Sequence, residues 1–165
     1  MTEAPVPPTA LREPAHQVSS KAPLLWAVGA AFGFLVLAAG MVAVHLLWFE
    51  LPVWAWPVLA VVAISYVAVM PIVRYRVHRW ESTDSAVFTQ TGWLSRERRI
   101  APMSRVQTVD YQQTAVGRLF GLASVTVTTA SAAGPIRIDA IDRPVAERLV
   151  EDLTRRAEAE QGDAT

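Results

Sequence analysis

The run from Pro23 to Val73, PLLWAVGAAFGFLVLAAGMVAVHLLWFELPVWAWPVLAVVAISYVAVMPIV, holds one acidic residue, Glu50, and no lysine or arginine. A hydrocarbon core is crossed by roughly 20 residues rising about 1.5 Å each, so this run is long enough to cross twice. Phe49-Glu50-Leu51-Pro52 is its one break. The expected structure is a transmembrane helical hairpin over residues 22–73, with antiparallel spans at about 23–48 and 53–73. Trp48, Phe49, Trp54 and Trp56 gather at the turn, the level that amphipathic aromatics favour at a membrane–water interface.

The flanks set the orientation. Lys21 precedes the first span, Arg74, Arg76 and Arg79 follow the second together with His78, and the turn offers only Glu50. These basic residues act as topology determinants, and the positive-inside bias predicts a two-span protein of the cell membrane with both termini cytoplasmic. A secretory signal peptide, the competing reading, needs a short apolar stretch and a mature domain beyond its cleavage site. Here the apolar run is too long and a second follows at once. Gly29 and Gly33 form a Gly-x-x-x-Gly pair that lets helix backbones approach, either the second span or another chain. The plainer alternative is that glycine is common in membrane helices. Pro57 predicts a kink in the second span. His45 falls within a turn or two of the outer interface and reads as an interfacial residue rather than a proton relay.

Residues 1–21, with Pro5, Pro7, Pro8 and Pro14, have little to bury and are expected to form a disordered cytoplasmic tail, as are residues 158–165 at the other end. Between them, 74–157 is expected to be one cytoplasmic domain. Short strands are predicted at Arg76 to Trp80, Ala86 to Thr91, Trp93 to Ile100 and Arg105 to Tyr111, with Ser82-Thr83-Asp84-Ser85 as a turn, Gly92 as a tight turn or bulge and Pro102 as an interruption. Val125-Thr126-Val127-Thr128-Thr129 is rich in β-branched residues, Ser131 to Gly134 makes a turn, and Ile136-Arg137-Ile138-Asp139 alternates strictly, so one face is buried and one wet. Many short strands with regular turns predict an antiparallel β-barrel or sandwich. Val145, Leu149, Val150 and Leu153 then form the stripe of an amphipathic helix, N-capped by Asp142 with Pro144 in its first turn.

The chain has no cysteine, which excludes disulfides and thiolate chemistry, and its three histidines (His16, His45, His78) show no ligand spacing. No metal and no cofactor is therefore expected. There is no glycine-rich phosphate loop, acid pair or Gly-x-Ser-x-Gly turn, so no catalytic residue is assigned and the chain reads as a non-enzyme. Charge is uneven: eight arginines face four acids from Arg74 to Arg118, and five face eight from there to Thr165. That balance, without an aromatic–basic motif, argues against nucleic acid. Arg96 and Arg98 share one face of a predicted strand, while Arg99 joins Glu97 on the other. Facing the membrane, Arg96 and Arg98 would attract anionic lipid headgroups; otherwise they are solvated or edge charges that block aggregation.

Ile100-Ala101-Pro102-Met103-Ser104-Arg105-Val106-Gln107-Thr108-Val109, then Gly117-Arg118-Leu119-Phe120-Gly121-Leu122, then Val125 to Ala130 resemble the bacterial membrane-flanked pleckstrin-homology-like family. So do Gly92 followed by an arginine-rich strand and the two spans directly ahead of the domain. Ala115 departs from the proline that many relatives carry there. The resemblance implies a mainly β, α+β fold: a pleckstrin-homology (PH)-like barrel of about seven strands capped by the C-terminal helix. It implies no activity. It does imply an accessory membrane protein partnered with a larger membrane protein carrying repeated PH-like domains. Arg105, Gln107 and Arg118 belong to the family motif and are either ligand contacts or structural, with an arginine pairing Asp110 or loop carbonyls. Leu119, Phe120 and Leu122 plug the barrel end, unless Phe120 protrudes to meet a partner or lipid. The leading expectation is an interaction module on the cytoplasmic face of the membrane. The alternative is a sensor of anionic lipid involved in envelope stress resistance.

Overall fold

The computed structural model describes residues 13–130 and 134–163. Two long helices, α1 (Ala22–Leu47) and α2 (Ala55–Val77), are apolar enough to cross a membrane, and almost none of their surface is buried inside the protein. Large side chains such as Phe32, Leu35 and Ile64 are exposed along them, a surface that lipid accommodates and water does not. Three ring pairs mark the antiparallel seam between the helices: Trp26 with His78, Phe34 with Tyr66, and His45 with Trp56. His45 also closes the turn, because its Nδ1 accepts the Leu51 N–H at 2.9 Å.

Pro57 does not kink α2. It lies in the first turn, where its missing N–H has no helical partner to lose, and the proline inside the helix is Pro71. α2 also runs one turn past Val73. The His78 N–H still donates to the Arg74 carbonyl at 2.9 Å, so the strand expected from Arg76 begins at Arg79 instead.

Among the described residues seven strands follow the order β1 (His16–Gln17), β2 (Arg79–Ser82), β3 (Ala86–Gly92), β4 (Arg96–Pro102), β5 (Val106–Gln112), β6 (Leu122–Thr129) and β7 (Ile136–Asp142). They form two antiparallel sheets, β1-β2-β3-β4 and β5-β6-β7. The fold is therefore the sandwich form of the expectation, not a closed barrel. The reason is the corner after β4: Pro102 has no N–H for a ladder, and a 3-10 turn at Met103–Arg105 redirects the chain before β5. Residues 13–21 also differ from the free tail expected of them. His16 pairs Trp80 and Gln17 pairs Arg79, so the segment ahead of the spans supplies the seventh strand, while the rest of that tail and residues 131–133 of the expected turn lie outside the described residues.

A short helix, α3 (Ala115–Phe120), interrupts the second sheet. The Thr114 hydroxyl caps it by accepting the Gly117 N–H at 3.0 Å, and Gly121 ends it at φ 68°, a left-handed conformation that costs glycine no side-chain clash. The C-terminal helix α4 (Arg143–Asp163) starts directly after Asp142, as expected, and continues beyond Glu158. Its buried residues Ala146, Leu149 and Leu153 belong to one core with Val125, Val127, Ile136 and Ile138 of the second sheet and Val87 and Ala101 of the first. Each fully buried aliphatic side chain contributes about 1.5–3 kcal/mol, so this one core holds both sheets and the helix together.

Candidate functional site

The site is the joint between spans and sheets, and it is built from segments far apart in sequence. The Ser19 N–H donates to the Ala140 carbonyl at 3.0 Å, and the Ser19 hydroxyl donates to Asp142 Oδ1 at 2.9 Å. Ala140 sits at φ 55° in an irregularity of β7, where the β6 register shifts between Ala123 and Val125. Such a bulge turns a carbonyl out of the ladder, here toward the chain entering α1.

On the next turn of α1, the Arg74 guanidinium lies 4.2 Å over the Trp26 ring, and the His78 ring packs 5.0 Å from the same indole. Arg74 Nε donates to His78 Nε2 at 3.3 Å, so Nε2 is unprotonated and His78 Nδ1–H donates to the Arg74 carbonyl at 2.9 Å. Gln90, fully buried, ties β3 to the end of α2: its Nε2 donates to the Val77 carbonyl at 3.0 Å while its Oε1 accepts from Arg98 Nε at 2.8 Å.

β3 then runs back along α2, and at its end Trp93 meets Tyr66 edge to face with ring centroids 5.6 Å apart. Tyr66 lies eleven residues before Val77, about 16 Å along the helix. The tip of the β3–β4 hairpin therefore reaches to the depth of the spans, and Leu94 at that tip is 85% exposed. On the other side of the spans α3 does the same with Leu119, also 85% exposed, and Val116. Two apolar tips thus flank the helical hairpin.

Between α2 and the sheets lies a cavity of about 390 Å³. Arg74 of α2, Arg99 of β4 and Arg137 of β7 line it, with Asp139 the one acid on its wall. Tyr66, Met70 and Arg74 come from one face of α2 at four-residue spacing, with His78 just past the helix end, which brings them to the cavity together.

Burial, reinforced by the Arg74 charge, holds His78 below its ordinary pKa of 6.5. The unfolded chain then binds more protons than the folded one as pH falls through about 6.5, so stability present above that pH is lost below it. Denaturation of the detergent-solubilised protein at pH 7.5 and pH 5.5 should show a larger fall for the native chain than for His78→Gln. Equal falls would remove His78 as the cause.

The residues singled out in the sequence are scattered over this architecture. Arg96 and Arg98 do share a face: Arg96 lies near Glu13 at 4.0 Å and Arg98 is held by Gln90. Arg98 and Arg105 border a second cavity, of about 370 Å³, at the open corner between the sheets. Gln107 is exposed on β5 and Arg118 on α3. Asp110 accepts a hydrogen bond from Thr108 at 3.4 Å. Leu122 is buried and Phe120 half-buried against the core, but Leu119 is no plug: it points outward. No atom lies within 4 Å of where a Cβ would stand on Gly29 or Gly33, so neither glycine is packed against α2. Lys21 reaches the Phe120 carbonyl at 3.4 Å, and Arg79 lies 3.7 Å from Glu13. Arg76 is exposed in the last turn of α2.

Sequence reasoning missed Arg99, Arg137, Asp139 and His78 as a group. The alternation at Ile136-Arg137-Ile138-Asp139 placed two of them on one wet face, but nothing local says which element that face meets.

A two-sheet domain capped by a helix and clamped to a pair of apolar helices is matched by the family described as bacterial PH domain, over residues 24–157. The chain belongs to this family. It is similar to the UPF0699 transmembrane protein YdbS of Bacillus subtilis (strain 168), at 29% identity over 160 residues, 92% of this chain and 98% of the relative. No solved structure matches it at a significant level. The chain thus has two exposed helices long and apolar enough to cross a membrane, and a relative named as a transmembrane protein.

Proposed function

We propose that the chain is a non-enzymatic accessory subunit that presents its PH-like domain, in a fixed orientation, at the cytoplasmic face of the cell membrane to a larger membrane protein of the same family. The observation that supports this reading most is the rigid joint. A domain merely tethered to the bilayer needs a flexible linker; here β1, Trp26, Gln90 and Trp93 bind the domain to its own spans on every side. A joint of this kind passes a displacement of the spans to the sheets, because packed interfaces shift as units rather than deforming continuously. The α1 face bearing Gly29 and Gly33 is open to a neighbouring helix, and the outer edge of β4 is unpaired by any described strand. The basic flanks, Lys21 and Arg74 to Arg79, support the cytoplasmic orientation.

Affinity purification of the intact chain in mild detergent tests the reading. A larger membrane protein carrying PH-like domains should co-purify in fixed ratio; recovery of the chain alone, as a monomer, overturns it. The orientation makes a separate prediction. An environment-sensitive dye on Leu94→Cys or Leu119→Cys in proteoliposomes should report an apolar surrounding, whereas the same dye on Thr154→Cys, exposed on α4, should report water. Aqueous readings at both tips would detach the domain from the bilayer surface.

A second reading, recognition of anionic lipid, is favoured by the arginine-lined cavity at the joint.

A further inference from the structure

We propose that the cavity lined by Arg74, Arg99 and Arg137 is a binding site for the phosphate of an anionic phospholipid, whose acyl chain lies along the α1–α2 surface. The inference deepens the second reading and rests on the domain's apposition to the bilayer.

The charge comes first. Three guanidinium groups and one carboxylate border about 390 Å³, and His78, neutral through its hydrogen bonds to Arg74, adds no charge. Glu97 pairs with Arg99 and Asp139 with Arg137, so the three guanidinium groups outnumber these two carboxylates by one, and a phosphate supplies the missing negative charge. The guanidinium fork matches phosphate oxygens, whereas a cation or a neutral sugar gains nothing from it.

Pre-organisation comes second. Each guanidinium is aimed by its own Nε hydrogen bond: Arg74 to His78, Arg99 to Glu97 at 2.7 Å, and Arg137 to Asp139. Arg74 is further fixed by the Trp26 ring beneath it, and Arg99 by the Pro135 carbonyl at 3.1 Å. Little side-chain freedom is lost when an anion arrives. Thr89 and Thr91 add hydroxyls to the same wall.

The source of the phosphate follows from the other walls. Tyr66, Met70 and Trp93 give the cavity an apolar side that belongs to the spans and the inserted hairpin tip. Tyr66, Met70 and Arg74 also border a larger cavity of about 660 Å³, whose remaining walls include Leu25, Val28, Gly29 and Phe32 of α1. A charged recess and an apolar groove joined at Arg74 suit a molecule with one charged end and a hydrocarbon tail. A soluble phosphate ester would use the first and leave the second unfilled.

The test uses the full chain in nanodiscs of phosphatidylcholine containing a minority of phosphatidylglycerol, released into the gas phase for native mass spectrometry. Phosphatidylglycerol should stay bound in preference to phosphatidylcholine. Arg99→Gln and Arg137→Gln should each lower that preference about fivefold, and the double variant about 25-fold, as expected for roughly 1 kcal/mol per arginine at a membrane surface. Arg155→Gln, on the exposed side of α4, should leave it unchanged, and unaltered thermal melting of each variant shows that the fold persists. Equal retention of the two lipids, or an equal loss in Arg155→Gln, overturns the site. Displacement of the lipid by soluble glycerol phosphate at matched concentration overturns the lipid as its source. Both nanodisc leaflets carry the same lipids, so a wrong cytoplasmic orientation would leave this result untouched, and the two readings fail separately.

Discussion

Trp26→Ala is expected to lower the stability of the folded chain by about 3–5 kcal/mol, the range for deleting a buried indole. Trp26 is only 9% exposed, and it is the shared surface on which Arg74 and His78 rest. Its removal opens a cavity at the joint and withdraws the ring that stabilises the Arg74 charge, a contact worth up to about 2 kcal/mol when desolvated and already included in that range. Because the loss falls between span and sheet, the spans should stay inserted while the domain loosens. Urea denaturation in detergent should show the drop in stability, and limited proteolysis should begin to cut near Arg79. A variant that melts and resists protease like the native chain would show that the joint is held elsewhere.

The second large effect is at Gly92. Its φ of 134° belongs to a region that side chains rarely enter, and a Cβ built there would lie 1.8 Å from the Ser95 carbonyl oxygen. That oxygen is backbone, so the hairpin itself must move. Gly92→Ala should cost about 3 kcal/mol or more, adding steric overlap to the 1–3 kcal/mol of an unfavourable backbone conformation. The β3–β4 pairing closes at Gly92 and Arg96, so Trp93 should leave Tyr66 and amide exchange should quicken from residue 90 to 98. For a domain of this size the melting temperature should fall by at least about 10 °C. A shift within a degree or two would mean that the tip relaxes freely and is not pinned against α2.

Both sites were partly legible beforehand. Gly92 read as a tight turn or bulge between two strands, yet the depth to which that turn reaches was invisible. Trp26 read as one more apolar residue of a span. Its partner Arg74 read as a topology determinant, and its stacking on Trp26 needs two helix ends brought side by side. The open corner at Pro102 was signalled by the proline itself, while the choice of two sheets over a closed barrel was not.

Apolar length and strand or helix period are sums over neighbouring residues, so residue order alone was enough to read the two apolar helices, most strands of the domain, the amphipathic stripe of α4 and, through the order of its motifs, the family. Where distant pieces meet was set by packing alone: His16 and Gln17 completing a sheet across both apolar helices, α2 running on to Val77, and three arginines from α2, β4 and β7 lining one cavity. The physical reason is range. Hydrophobic transfer and backbone propensity act on a residue and its neighbours, whereas a site built from residues 74, 99 and 137 exists only once packing has fixed the distances between their elements.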